Sequence, residues 1–148
     1  MTLKVAIASD HGGFELKQKI IELLVELKID YEDFGSYTQG SVDYPDYAFL
    51  VGLKVANNEF DRGILICGTG VGISIAANKV KGIRCALVHD VFTAKATRQH
   101  NDSNILAMGG RVIGDEHAKI IVKTWLQEEF LGGHHIGRIS EIAKYEAN

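Results

Sequence analysis

Short apolar runs alternate with longer segments of mixed polarity along most of the chain. Five runs have the length and composition of strands, at residues 3–9, 29–34, 63–67, 83–89 and 105–108. The segments between them contain the three- and four-residue apolar spacings of amphipathic helices. Strands that alternate with helices imply right-handed crossovers and a mostly parallel sheet covered on both faces. We therefore predict an α/β fold with a five-stranded parallel sheet, in one domain over 1–148.

The helices are expected at 14–27 and 46–57, from the glycines after Cys67 through Asn78, from about 90 to Gln99, and at 115–130. A short helix is expected at 139–146. The polar stretch 35–45 is expected to form a loop.

Polar residues cluster where strands are expected to end. Asp10 and His11 follow the first strand, and Cys67 ends the third. The run from His100 to Asn104 comes just before the fifth strand. Ligands of open parallel sheets bind at the carboxyl ends of the strands. We expect all three groups to lie at that edge.

The segment after Cys67 has glycine at positions 68, 70 and 72. Such a turn can aim N–H groups at an anion, helped by the dipole of the following helix. A dinucleotide motif needs glycine at 73, and a P-loop also needs lysine at 74, but the chain has Ile73 and Ser74. A thiol phosphatase would have arginine at 73. A different anion, or a tight turn without a ligand, remains open.

Two interpretations of Cys67 stay open as well. A helix amino terminus stabilises a thiolate, which can accept a proton as a general base. A cysteine that ends a buried strand is also typical of a small core hydrophobe. For Cys85, inside the fourth strand, the second interpretation is preferred.

Three other residues are candidates from chemistry alone. Histidine suits proton transfer near neutral pH, which favours a catalytic role for His100. Arg111 and Arg138 follow glycine-containing segments and could bind phosphate bidentately, although each alone is typical of a surface charge. No zinc-ligand spacing joins the cysteines and histidines, so we predict no metal.

Composition narrows the class of partner and the compartment. The formal charge of −3 and the pI near 6.0 argue against a nucleic-acid partner. The chain has two cysteines, which we expect to be free thiols in a reducing compartment. No signal-like stretch opens the sequence, and no apolar run reaches the length of a membrane span. We expect a cytoplasmic protein without membrane contact.

Several segments together resemble the type B ribose-5-phosphate isomerases, within the family that also contains allose-6-phosphate and galactose-6-phosphate isomerases. The resemblance covers nearly the whole chain and is carried by residues 9–14, 43–45, 63–78, 98–102 and 109–111. It implies a Rossmann-like three-layer α/β/α sandwich without a cofactor. It also implies a homodimer, sometimes paired into tetramers, with active sites built from both subunits. The tail from about 131 would then pack on the partner subunit.

The resemblance further implies roles for individual residues. Cys67 would move a proton between C1 and C2 of a sugar phosphate, His100 would open the furanose ring, and Thr69 would assist near O1 and O2. Substrate contacts are implied for Asp10, His11, the amides of Gly68, Gly70, Val71 and Gly72, Asn101, Arg111 and Arg138. Many relatives carry arginine where this chain has His134, so no family role is carried over there. Its ring can still donate one hydrogen bond to phosphate.

Three functions compete at this point. The first is interconversion of ribose 5-phosphate and ribulose 5-phosphate by ring opening and an enediolate. The second is isomerisation of a hexose 6-phosphate of the allose or galactose type, alone or as a subunit of a hetero-oligomer. The third is a non-catalytic sugar-phosphate binding module, because a fold does not fix chemistry. For an isomerase, the C1–C2 end of the sugar is expected at the glycine loop, and the phosphate at the arginine-bearing end.

Overall fold

The computed structural model describes residues 2–148. The strands are β1 (Lys4–Ser9), β2 (Asp30–Asp33), β3 (Arg62–Cys67), β4 (Cys85–Leu87) and β5 (Ile105–Gly109). The helices are α1 (Phe14–Glu26), α2 (Tyr44–Ala56), α3 (Val71–Ala77), α4 (Val91–Asn101), α5 (Asp115–Gln127) and α6 (His134–Glu146). A single 3₁₀ turn, His11–Gly13, links β1 to α1.

The sheet is parallel throughout, with strand order β2-β1-β3-β5-β4. The apolar strands β1, β3 and β5 lie in its centre and are buried on both faces. One face packs on α1, α4 and α5, with Trp125 fully buried there. The other face packs on α2 and α3. This arrangement confirms the predicted three-layer α/β/α sandwich.

Several boundaries differ from the prediction, and three of the differences have a local cause. The fourth strand is shorter than 83–89, because the chain turns away after Val88, whose N–H donates to the Ala107 carbonyl at 3.0 Å. The helix expected from 46 begins at Tyr44, since Pro45 fits a first helical turn. The last helix begins at His134 rather than 139, directly after Gly133, which has a φ of 63°.

The outer edge of β4 is closed by a side chain. Asn78, which follows α3, donates from Nδ2 to the Cys85 carbonyl at 2.9 Å and accepts the Cys85 N–H at 2.8 Å. The Asn78 amide thus makes the pair of bonds that a residue of a neighbouring strand would make.

Helix α6 lies on the surface beside α4 and the edge strand. None of its residues, all of which the structure describes, is buried. Ile136, Ile142 and Tyr145 expose more than half of their surface. A cleft of about 720 Å³ opens between α6, α4 and β4. The tail therefore adds little to the core of its own chain.

Candidate active site

The loops after β1, β3 and β5 meet at the carboxyl edge of the sheet, and glycines let their backbones touch. A Cβ at Gly13 would lie 2.4 Å from the Ile66 carbonyl oxygen, and one at Gly110 would lie 2.6 Å from the Gly12 carbonyl oxygen. The Gly110 N–H donates to the Cys67 carbonyl at 2.8 Å. We call these three loops the glycine-packed edge. Their close contact gives the side chains they carry fixed relative positions.

Cys67 occupies the last position of β3, at the centre of this edge. It is buried, with 4% of its surface exposed. Its Sγ accepts the N–H of Gly70 at 3.1 Å, a contact made possible by the left-handed φ of 79° at Gly70. An N–H donor interacts more favourably with a thiolate than with a thiol. Cys67 is therefore both a core residue and a sulfur with a donor aimed at it.

The second cysteine has a different environment. Burial raises the pKa of the Cys85 thiol to about 12. It is therefore protonated at neutral pH, in agreement with a structural role. Both cysteines are free thiols.

The amides of the glycine loop are not all available to a ligand. Gly70 donates to Cys67, and Val71 donates to the hydroxyl oxygen of Thr69 at 3.2 Å. Within residues 2–148, the N–H groups of Gly68, Thr69 and Gly72 have no acceptor. An anion at this loop would thus meet fewer N–H donors than residues 68–72 carry. The Thr69 hydroxyl still has its own proton to donate.

Asp10 and His11 are both held by backbone groups. Asp10 Oδ1 accepts the N–H groups of Gly12 at 2.9 Å and Gly13 at 3.2 Å, as a cap of the 3₁₀ turn. His11 Nδ1 accepts the N–H of Val42 at 3.2 Å. That bond leaves Nε2 as the protonated nitrogen of a neutral ring.

A buried lysine secures the loop that contacts His11. The Lys17 side chain is fully buried, and its Nζ donates to Asp33 Oδ1 at 2.7 Å and to the Ser36 carbonyl at 2.6 Å. A buried charge is tolerated because it is paired in this way. Loop 35–43 is therefore tied to α1 at its start and to His11 near its end.

His11 and Arg111 line a common cavity of about 370 Å³. Arg111 is mounted on the turn after β5, where its N–H donates to the Gly68 carbonyl at 3.0 Å. Its guanidinium lies over Gly68, with Nη1 3.4 Å from the position of a Cβ there. The cavity thus brings one cation and one histidine next to the Cys67 loop, and their contact with substrate stays a prediction.

The placement of His100 and Asn101 at the same edge is wrong. They end α4, which runs antiparallel to the strands and delivers the chain to the start of β5. The Asn101 carbonyl accepts from Arg84 Nε at 2.9 Å, just before β4 begins. Residues that precede a parallel strand lie at its amino end, about 13 Å from Cys67 along β3 at 3.3 Å per residue. His100 and Cys67 of one chain are therefore at opposite ends of the sheet.

The two tail residues that were predicted to bind substrate, His134 and Arg138, lie near His100 at this amino edge. The His135 ring stacks on His100 with centroids 4.5 Å apart, and His134 lies 4.1 Å from His135. The pKa of His135 is lowered by desolvation and by the positive charges of His134, His100 and Arg138. We call His100, Asn101, His134, His135 and Arg138 the histidine end. His100 and Asn101 are exposed there, whereas Asp102 and Ser103 bind Arg98 within the fold.

Two residues beside the glycine loop were not predicted from the sequence. The Tyr44 ring covers Gly72, where a Cβ would lie 2.5 Å from Tyr44 Cζ. His89 Nε2 accepts the N–H of Gly109 at 2.9 Å. The position of His89 at a predicted strand end was a signal for the second. The place of Tyr44 within the segment 43–45, which carries part of the family resemblance, was a signal for the first.

Across residues 2–148, no group of three or more His, Cys, Asp or Glu side chains is arranged to hold a metal ion. The helices of that same range are all too short or too polar to cross a bilayer.

Comparisons with known proteins agree with this architecture. A family model described as Ribose/Galactose Isomerase matches residues 5–142. Ribose-5-phosphate isomerase B of Escherichia coli K12 is 50% identical over 143 residues, covering 97% of this chain and 96% of that protein. Ribose-5-phosphate isomerase B of Clostridium thermocellum matches with a TM-score of 0.97 and 50% identity, covering 98% of both chains.

A third similar protein contains a ligand. Ribose-5-phosphate isomerase B of Mycoplasma genitalium, with bound ribulose 5-phosphate, matches with a TM-score of 0.96 and 45% identity, over 100% of this chain and 99% of that one. The resemblance expected from the motifs is thereby confirmed, and the chain belongs to the ribose/galactose isomerase family.

Proposed function

We propose that this protein interconverts ribose 5-phosphate and ribulose 5-phosphate. The observation that carries the proposal is Cys67, a buried sulfur that receives an N–H bond at 3.1 Å and directly precedes Gly68, over which the Arg111 guanidinium lies. Similarity to ribose-5-phosphate isomerases B, one of them with bound ribulose 5-phosphate, supports this substrate over a hexose phosphate.

The reaction needs a base, a group that stabilises negative charge and a phosphate-binding site. Cys67 as thiolate takes the proton from C2 of the open-chain aldose, and the electron pair moves to form an enediolate. The same group returns a proton to C1, while a proton passes between O1 and O2. The Thr69 hydroxyl and the open amides of Thr69 and Gly72 stabilise the charge. No external oxidant or reductant is consumed.

The phosphate belongs at the cavity of about 370 Å³ lined by His11 and Arg111. A guanidinium binds a phosphate bidentately, and the protonated Nε2 of His11 supplies one more donor. Asp10 holds the turn that carries His11, and its own contact with substrate stays a prediction. This placement leaves the C1–C2 end of the sugar next to Cys67.

We further propose that two copies of the chain share each active site. Ring opening by His100 and proton transfer by Cys67 act on one sugar, yet the two residues lie at opposite ends of the sheet. In a two-fold dimer, the histidine end of one copy faces the glycine-packed edge of the other, and two such sites form together. His100, Asn101, His134 and Arg138 would then act on the partner's substrate. The exposed apolar residues of α6 support a partner on that face.

Isotope incorporation tests the reaction. Ribose 5-phosphate incubated with the protein in deuterated water should yield ribulose 5-phosphate with deuterium at C1, whereas a binding module gives no product. Cys67→Ala should slow conversion by about 1,000-fold or more while folding stays largely intact. Conversion at the wild-type rate by this variant would contradict the assignment of Cys67 as the base. The ratio of kcat/KM for ribose 5-phosphate and allose 6-phosphate decides the substrate.

Complementation tests the shared site. Cys67→Ala and His100→Asn chains should each be strongly impaired alone. Refolded together at equal amounts, they should recover about a quarter of wild-type activity, because half of the dimers contain one intact site of two. No recovery, with mixed dimers demonstrated by mass spectrometry, would contradict sharing. It would leave the isotope result untouched.

A further inference from the structure

His89 occupies a place where the sheet would otherwise need a backbone acceptor. The pairing of β4 with β5 ends as the Val88 N–H donates to Ala107, and the chain then turns into α4. The next donor on that side of β5 is the N–H of Gly109. It donates to His89 Nε2 at 2.9 Å. The imidazole therefore replaces the carbonyl of a longer fourth strand.

Gly109 in turn contacts the Cys67 loop. It pairs with Cys67 in the register of β3 and β5. A Cβ at Gly109 would lie 2.6 Å from the carbonyl carbon and oxygen of Thr69, so the two backbones touch directly. The next residue, Gly110, donates to the Cys67 carbonyl. A displacement of Gly109 thus moves the surroundings of both Cys67 and Thr69.

We propose that His89 is a positioning residue that holds Gly109 against the Cys67 loop, and that protonation of His89 releases this hold. The proposal rests on the isomerase function given above. A neutral imidazole accepts the Gly109 N–H through the lone pair of Nε2. The imidazolium has no lone pair there and places a second N–H against the first.

The surroundings of His89 keep it neutral at physiological pH. Burial lowers its pKa, with a further decrease from His117 on α5 and an opposing increase from the neighbouring carboxylate of Asp90. Since the folded-state pKa lies below the ordinary histidine value of about 6.5, the bond is intact at and above neutrality. It is lost as the pH falls through the folded-state value, and so is its contribution to stability.

Two substitutions of His89 distinguish its role as a hydrogen-bond acceptor from its ability to become charged. In His89→Leu the buried Gly109 N–H loses its acceptor, and kcat/KM at pH 7.5 should fall about tenfold, equivalent to about 1.4 kcal/mol. In His89→Gln a side-chain carbonyl replaces Nε2 and does not titrate. Its kcat/KM at pH 7.5 should stay within about threefold of wild type. A Gln variant as impaired as the Leu variant would count against the proposal.

The pH profile provides a readout that a purely structural role would not change. The ratio of wild-type to His89→Gln activity cancels titrations that both proteins share, including those of Cys67 and His100. It should be constant above pH 7 and fall severalfold toward pH 5. His117→Gln removes a positive neighbour, so in its background the ratio should begin to fall at higher pH. A ratio that is flat from pH 8 to 5 would overturn the proposal.

An NMR titration without substrate distinguishes this proposal from the proposed function. The Gly109 amide proton of the wild-type protein should shift with the protonation of the His89 ring, and in His89→Leu it should exchange faster with solvent. If these signals behave as stated but the protein does not isomerise ribose 5-phosphate, the hydrogen bond between His89 and Gly109 is confirmed and the proposed function is wrong. If the Gly109 amide does not respond to His89 protonation, the positioning role is excluded.

Discussion

The glycine-packed edge and the histidine end differ in how firmly their own chain holds their polar groups. At the glycine-packed edge, Cys67 and Asp10 are buried, and backbone amides bond to both. At the histidine end, His100 and Arg138 are exposed, and α6 has no buried residue. The first region is complete within one chain, apart from its substrate. The second has donors and cations that contact little of their own chain, as expected for groups that act on a partner.

The largest effect should come from filling the glycine-packed edge. In Gly13→Ala the new Cβ would lie 2.4 Å from the Ile66 carbonyl oxygen, a backbone atom of central strand β3. We expect a loss of about 3 kcal/mol or more in the free energy of unfolding, seen as a decrease of roughly 10 °C in thermal denaturation. Isomerase activity should be lost with it.

Gly137→Ala in α6 is the matched control. A Cβ there has no atom within 4 Å. Alanine in a helix interior is favoured over glycine by roughly 0.5–1 kcal/mol, so this variant should be as stable as wild type or slightly more. Equal destabilisation by both substitutions would mean that the two ends do not differ in rigidity.

An intermediate effect is expected from Arg138→Ala. The loss of a charge-assisted hydrogen bond to phosphate is worth about 1.5–3 kcal/mol, which corresponds to a KM increase of roughly 10- to 100-fold. The thermal unfolding temperature should not change, because the side chain is exposed. Lys144→Ala, which removes the same charge from the last turn of α6, should leave KM unchanged. An Arg138→Ala enzyme with normal KM and reduced kcat would contradict phosphate binding.

The smallest effect is expected from His134→Arg. A guanidinium offers two parallel donors to a phosphate where an imidazole offers one, so KM for ribose 5-phosphate should fall by about threefold. Steady-state kinetics at pH 7.5 measures this directly. An increase in KM would instead mean that His134 faces away from the phosphate of the partner's site.

The sheet and its glycine-packed edge could be predicted because local pattern and tertiary position agree there. β3 is apolar throughout and therefore central, and the residues that follow β1, β3 and β5 must meet at one edge. His100 was misplaced because residues before a parallel strand lie at the opposite edge from those after it. The place of His89 at a strand end was visible in the sequence, but strand propensity does not show that its side chain replaces a backbone acceptor.

The start of the tail helix was also misjudged, because α6 lacks a buried face of its own. Helix prediction depends on an apolar stripe that packs on the same chain. His134 and His135 begin α6 only because the glycines before it turn the chain. Whether the exposed face of such a helix packs on a second copy cannot be deduced from the periodicity of one chain.

Asn78 limits how copies of this protein can associate. A parallel sheet with an open outer strand can recruit the backbone of another molecule and grow into a ribbon. Here the amide of Asn78 occupies both the donor and the acceptor of Cys85, and β4 has only three residues. Strand addition is therefore hindered at this edge of the sheet, where Cys85 has no free backbone donor or acceptor.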